Sequence, residues 1–112
     1  MLAVLRFEVS GDADASFLDE VEAALGLFAA RPGFVSGQVG RAYDQPDLWC
    51  LVTEWESVGA YRRALGSYEI KAGATPLLSR AMAEASAFET VAVAAPDGAV
   101  ARVSSDRSIA SR

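Results

Sequence analysis

The chain has 112 residues, 52% of them apolar and 22% charged, enough for one domain with a real core and too apolar for disorder by composition. Fifteen acidic residues against ten basic ones give a net charge of −5, which argues against a nucleic-acid binder and against a polybasic membrane-surface protein. Histidine is absent and cysteine occurs once, which excludes a Ser-His-Asp triad, a Cys-His dyad, His-ligated zinc or haem, and an intrachain disulfide.

No run approaches the ~18 consecutive apolar residues of a membrane span. The N-terminal stretch Met1-Leu2-Ala3-Val4-Leu5-Arg6-Phe7-Glu8 lacks a basic leader, and charges interrupt it, so it does not read as a signal peptide. A cytoplasmic protein is expected, with neither nucleic acid nor membrane as a partner.

Residues 2–9 alternate. Ala3, Leu5, Phe7 and Val9 share one face; Val4, Arg6 and Glu8 share the other, the pattern of a strand. Ser10-Gly11-Asp12 breaks it. From about Ala15 the period becomes helical, with a stripe of Leu18, Val21, Leu25 and Phe28, and with Asp14 or Ser16 as the N-cap. Arg31-Pro32-Gly33 stops that helix.

A second strand is expected over Phe34 to Tyr43, weakened by Gly37 and Gly40. Asp44-Gln45-Pro46-Asp47 is a turn. Leu48 to Glu56 gives the strongest strand signal. Trp49, Leu51, Thr53 and Trp55 share one face; Leu48, Cys50, Val52 and Glu54 share the other. Both faces are largely apolar, which predicts burial on two sides.

Ser57 caps a short helix that Gly66 ends. Ser67 to Gly73 reads as a further turn or short helix. Thr75-Pro76 opens a helix through about Met82. Ala87 to Val93 is a closing β run. Residues 95–112 are rich in Ala, Ser and Arg and read as a loosely held tail, within which 99–103 offers a short hairpin return. Of the 15 acidic residues, 13 precede residue 95, against 7 of the 10 basic ones. The organisation expected is thus a domain over 1–94 and a C-terminal tail over 95–112.

The order β-α-β-β-α-β is that of the ferredoxin-like split βαβ, an α+β fold with a four-stranded antiparallel sheet and helices on one face. The apolar second face of the third strand then needs a cover, and a second copy of the sheet supplies one.

Few residues offer chemistry. Glu54 and Glu56 flank Trp55 on one strand face, the ordinary end of a solvated strand, and no metal site is expected. The glycines between 33 and 40 lack both dinucleotide and Walker spacing. Cys50 sits mid-strand with no histidine to activate it and reads as an inert thiol. One arrangement stands out: Trp55 at a strand end, with Tyr61 one turn into the next helix. It reads either as core packing or as the wall of an aromatic pocket, lined also by Leu51, Phe28 and Phe7, with Arg80 or Arg41 as polar handles.

Three stretches carry a resemblance. Arg31-Pro32-Gly33-Phe34-Val35-Ser36-Gly37-Gln38, then Leu51 to Tyr61 (LVTEWESVGAY), then Ser67-Tyr68-Glu69-Ile70-Lys71-Ala72 closely resemble the antibiotic biosynthesis monooxygenase family, over residues 2–93. The resemblance implies a homodimeric α+β barrel. It also implies a cofactor-free monooxygenase that oxidises an electron-rich phenol, quinol or aromatic polyketide with O2. Such a substrate, once deprotonated, itself gives an electron to O2, so the protein need supply only a dry pocket, a proton acceptor and orientation. No cofactor is expected. By the same resemblance Trp55 matches the family's strand-end tryptophan, and Tyr61 the tyrosine of the following helix in the anthrone-oxidising branch; both are the implied catalytic residues. Where that branch has an asparagine four residues before the tryptophan, this chain has Leu51. Where the haem-degrading branch has an iron-binding histidine, it has about Ala74. The alternative to an oxygenase is a non-catalytic dimeric barrel that binds a hydrophobic small molecule or serves a structural or regulatory role.

Overall fold

The computed structural model describes residues 1–103. Three strands come early: β1 (Leu2–Glu8), β2 (Phe34–Arg41) and β3 (Leu48–Trp55). A single 3-10 turn (Gly11–Ala13) and the helix α1 (Asp14–Ala29) link the first two. After β3 come three short helices, α2 (Val58–Leu65), α3 (Tyr68–Gly73) and α4 (Thr75–Leu78), then β4 (Ala87–Phe88), β5 (Ala92–Ala94) and β6 (Val100–Arg102).

The main sheet runs β2-β3-β1-β4, antiparallel throughout. β3 lies between β1 and β2, which α1 connects, so the expected split βαβ is the observed topology. The register follows the side-chain alternation. Phe7 faces Trp49, Leu5 faces Leu51 and Ala3 faces Thr53. On the other side of β3, Gly37 faces Thr53, Val39 faces Leu51 and Arg41 faces Trp49. Trp49, Leu51, Thr53 and Trp55 are all buried beneath the helices. Leu48, Cys50 and Val52 occupy the opposite face and are half-buried, with Leu2 and Phe88 exposed beside them.

Helix α1 turns a different edge to the sheet than the expected stripe. Phe17, Val21, Ala24 and Phe28 are buried, whereas Leu18 is exposed and Leu25 half-buried. The expected and the observed stripes are overlapping parts of one broad apolar arc on this helix, so periodicity does not choose between them. The N-cap is Ala13, with no side-chain cap bond. Ser16 Oγ donates to Ala13 O, and Asp14 is committed to Arg41 instead. Ser57 and Ser67 do cap α2 and α3, accepting from Ala60 N and Ile70 N.

The loop after α1 fixes where α2 sits. Gly33 has φ +87°, and a Cβ there would lie 2.5 Å from the Ala60 Cβ. Its carbonyl accepts from Glu56 N at 2.8 Å. Only glycine serves both the backbone conformation and this approach. The Pro32-Gly33-Phe34 turn thereby docks against the first turn of α2, next to Tyr61.

The C-terminal part departs from expectation in two places. The helix opened by Thr75 ends at Leu78, because by Met82 the chain already runs beside β1, with Met82 N donating to Arg6 O and Val4 N to Ser86 O. The single strand expected over Ala87 to Val93 is two separate pieces. Only Ala87 and Phe88 pair with β1; β5 pairs with β6 in a second, two-stranded sheet. The turn of this hairpin spans residues 95–99, closed by Ala95 N to Ala99 O. The remainder of the expected tail, 104–112, lies outside the described residues.

Candidate functional site

Trp55 is 2% exposed at the end of β3. Its ring centroid lies 5.6 Å from Tyr61, 5.8 Å from Phe28 and 5.3 Å from Phe34. Four aromatics from α1, β2, β3 and α2 thus meet at one end of the layer between sheet and helices. Their tilted and edge-on angles are the favoured ones for aromatic pairs. Leu51, 1% exposed, lies on the same strand face.

Polar groups in this cluster are few. The indole Nε1 of Trp55 donates to Thr53 Oγ1 at 2.8 Å. Thr53 is 2% exposed, so the pair satisfies each other within the core. Gly37 leaves the room for it, since a Cβ there would press on Leu25, Phe34 and Thr53. Burial raises the Tyr61 hydroxyl above the ordinary tyrosine value, because desolvation disfavours the phenolate. At neutral pH Tyr61 is therefore a hydrogen-bond donor, not a base.

The other two anticipated residues lie elsewhere. Phe7 packs on Phe17 at 5.3 Å, and Phe17 on Trp49 at 5.2 Å, a second aromatic group some six residues along β3 from the first. Arg80 lies near it, with Nη2 donating to Glu20 Oε2 at 2.7 Å. Phe7, Phe17, Glu20 and Arg80 line a cavity of about 160 Å³ under the start of α1. Trp55, Tyr61, Phe28 and Leu51 are thus brought together; Phe7 and Arg80 are brought together at a different place. Arg41, the other polar handle considered, stands over the Trp49 ring and binds Asp14. Asp14 is a polar neighbour that sequence reading had assigned to helix capping. Nothing local marks a contact between residues 27 positions apart.

The strand order, with helices packed on one face of the sheet, defines a ferredoxin-like α+β domain. The chain belongs to the antibiotic biosynthesis monooxygenase family, whose pattern matches residues 1–75. SnoaB, a cofactor-independent oxygenase from Streptomyces nogalater, is 31% identical in sequence, with a TM-score of 0.64 over 74% of this chain and 84% of that one. A 42.8 kDa protein in the whiE locus of Streptomyces coelicolor is 35% identical over 66 residues, which are 59% of this chain and 17% of that protein. The chain therefore corresponds to a minor part of that relative. A putative antibiotic biosynthesis monooxygenase from Nitrosomonas europaea shares the fold at a TM-score of 0.59 and 12% identity. No helix among the described residues is long and apolar enough to cross a membrane.

Proposed function

We propose that this protein is a cofactor-independent monooxygenase that oxidises an electron-rich aromatic, of the polyketide or quinol type, with O2. Its family membership and its likeness to SnoaB over most of both chains support this reading. The observation that carries it is the Trp55–Tyr61 contact beneath the helices. In this reading the substrate is the reductant. Its deprotonated form gives an electron to O2, after which one oxygen atom enters the product and the other leaves as water. Trp55 and Phe28 supply flat apolar walls. Tyr61, held protonated by its burial, donates a hydrogen bond to the oxygen on which charge develops. Oxygen consumption with a panel of anthrones and hydroquinones tests the reading. Turnover that falls at least ~10-fold in Tyr61→Phe supports it; no uptake with any member of the panel refutes it.

A second reading has its own support. Trp55 spends its N–H on Thr53, and the position before it that would offer an amide is the buried, apolar Leu51. A barrel that only binds a hydrophobic small molecule would tolerate both. Ligand-induced stabilisation without oxygen uptake distinguishes it.

In either reading the protein is a homodimer. The row Leu48, Cys50 and Val52, with Val4 across from Val52, lies on the face that no helix among the described residues covers. Leaving it in water forgoes ~25 cal/mol per Å² of apolar surface. A monomer mass by light scattering at micromolar concentration would overturn this.

A further inference from the structure

Residues 91–103 form a regular hairpin that the rest of the described chain leaves bare. Among the described residues β5 and β6 pair only with each other, Ala92 with Arg102, Val93 with Ala101 and Ala94 with Val100. Backbone bonds close the hairpin at both ends, Val103 N to Val91 O at its base and Gly98 N to Ala95 O at its turn. Asp97 Oδ1 accepts from Ala99 N in the same turn. Yet every residue from 91 to 103 is exposed. A hairpin lying on the body would hide alternate residues; this one hides none. Opposed residues share a side, and sides alternate along each strand. Val91, Val93, Ala101 and Val103 therefore stand together on a wholly apolar side, with Ala92, Ala94, Val100 and Arg102 on the other. A lone two-stranded ribbon is marginal in water, and a bare apolar ribbon with open edges favours association.

We propose that this hairpin is an arm that grips a second copy of the chain, packing its Val91, Val93, Ala101 and Val103 side against a partner seated on the open sheet face. Continuity carries the choice of partner. Three residues separate Phe88 from the hairpin. Phe88 pairs with Leu2, and both are exposed beside the half-buried row of Val4, Leu48, Cys50 and Val52. The bare hairpin thus springs from the rim of the bare sheet face. Charge agrees. The chain carries −5, so two copies repel over much of their surface. Within 91–103 the only charges, Asp97 and Arg102, cancel. In a two-fold pair each copy gives one arm and receives one. The inference rests on the homodimer reading and names the segment that reaches across; it is independent of the oxygenase reading.

The test uses the full chain. Isotope-labelled copies are mixed one to one with unlabelled copies, and isotope-filtered NMR reads contacts between chains alone. The expected result is a set of intermolecular contacts from the methyl groups of Val91, Val93 and Val103. Sedimentation velocity over a concentration series then measures dissociation. Val93→Glu sets a carboxylate within the apolar contact and should raise the dimer Kd at least ~10-fold. Val100→Glu makes the same change on the side of Arg102 and should move Kd less than ~2-fold. Both positions are exposed in the single chain, so far-UV circular dichroism should show both variants folded. A dimer without intermolecular contacts from the hairpin, or equal effects of the two variants, overturns the arm and leaves the dimer standing. A chain that stays monomeric at millimolar concentration overturns both. The wild-type NMR needs no variant, so a misfolded Val93→Glu protein does not protect the idea.

Discussion

Replacing Trp55 tests how the buried cluster is held. Trp55→Ala removes a ring that is 2% exposed and touches Phe28, Phe34 and Tyr61. The cavity alone should cost ~3–5 kcal/mol. The same change strips Thr53 Oγ1 of its indole partner, and an orphaned buried hydroxyl adds ~1–3 kcal/mol. Against a total stability of ~5–15 kcal/mol, this variant sits near the threshold of folding. Trp55→Phe is the sharper probe, because it keeps a ring and removes the N–H. Adding Thr53→Val then removes the stranded hydroxyl. The prediction is a coupling of ~1 kcal/mol: Thr53→Val should destabilise the wild type but leave Trp55→Phe unharmed or slightly improved. Urea midpoints by circular dichroism, at unchanged m-value, measure all four corners of the cycle. If Thr53→Val costs the same in both backgrounds, the indole–hydroxyl bond contributes nothing, and the account of a self-satisfied core pair is wrong.

Gly33→Ala combines a left-handed φ with a 2.5 Å approach to Ala60 and should lose more than ~2 kcal/mol. Gly26→Ala, in mid-helix with open space around the new Cβ, should gain ~0.5–1 kcal/mol by the same chemical denaturation. Tyr61 is raised above 10.0 in the folded chain by burial, so its contribution is complete below that pH and declines as pH climbs through the folded value. An alkaline loss of melting temperature that Tyr61→Phe diminishes would bear this out, and identical alkaline curves for the two proteins would not. Truncation after Ala94 removes β6 and the hairpin turn, whose apolar residues Val100 and Val103 are exposed. It should change the stability of the single chain by no more than ~0.5 kcal/mol. A much larger loss in the melting temperature would mean that the hairpin packs on a second copy.

Strand alternation is a local property, and it was legible in the residues themselves. The two faces of Leu48–Trp55 follow from period two alone, and the structure buries Trp49, Leu51, Thr53 and Trp55 together. Ser57 was readable as a cap and does cap α2; at α1 the expected Asp14 or Ser16 does not, and Ala13 holds the position without a side-chain bond. The turn at Gly33 was readable as a helix stop. Its contact with Ala60 was not, because that depends on how α2 returns over the sheet.

Tertiary structure decided the rest. One broad apolar arc runs along α1, wide enough for more than one stripe, and packing against the sheet selected Phe17, Val21, Ala24 and Phe28. Composition over 87–93 suited any strand, but an edge pairs only where the chain lies alongside it, which for β4 is Ala87 and Phe88 opposite Ala3 and Leu2. The candidate sites depend most on the fold. Phe28 reaches Tyr61 across 33 positions, and Asp14 reaches Arg41 across 27. A sequence states which side chains are apolar or charged and on which face of its own element each falls. Which elements meet, and which polar atoms are then left without a partner, is set only when the layers close.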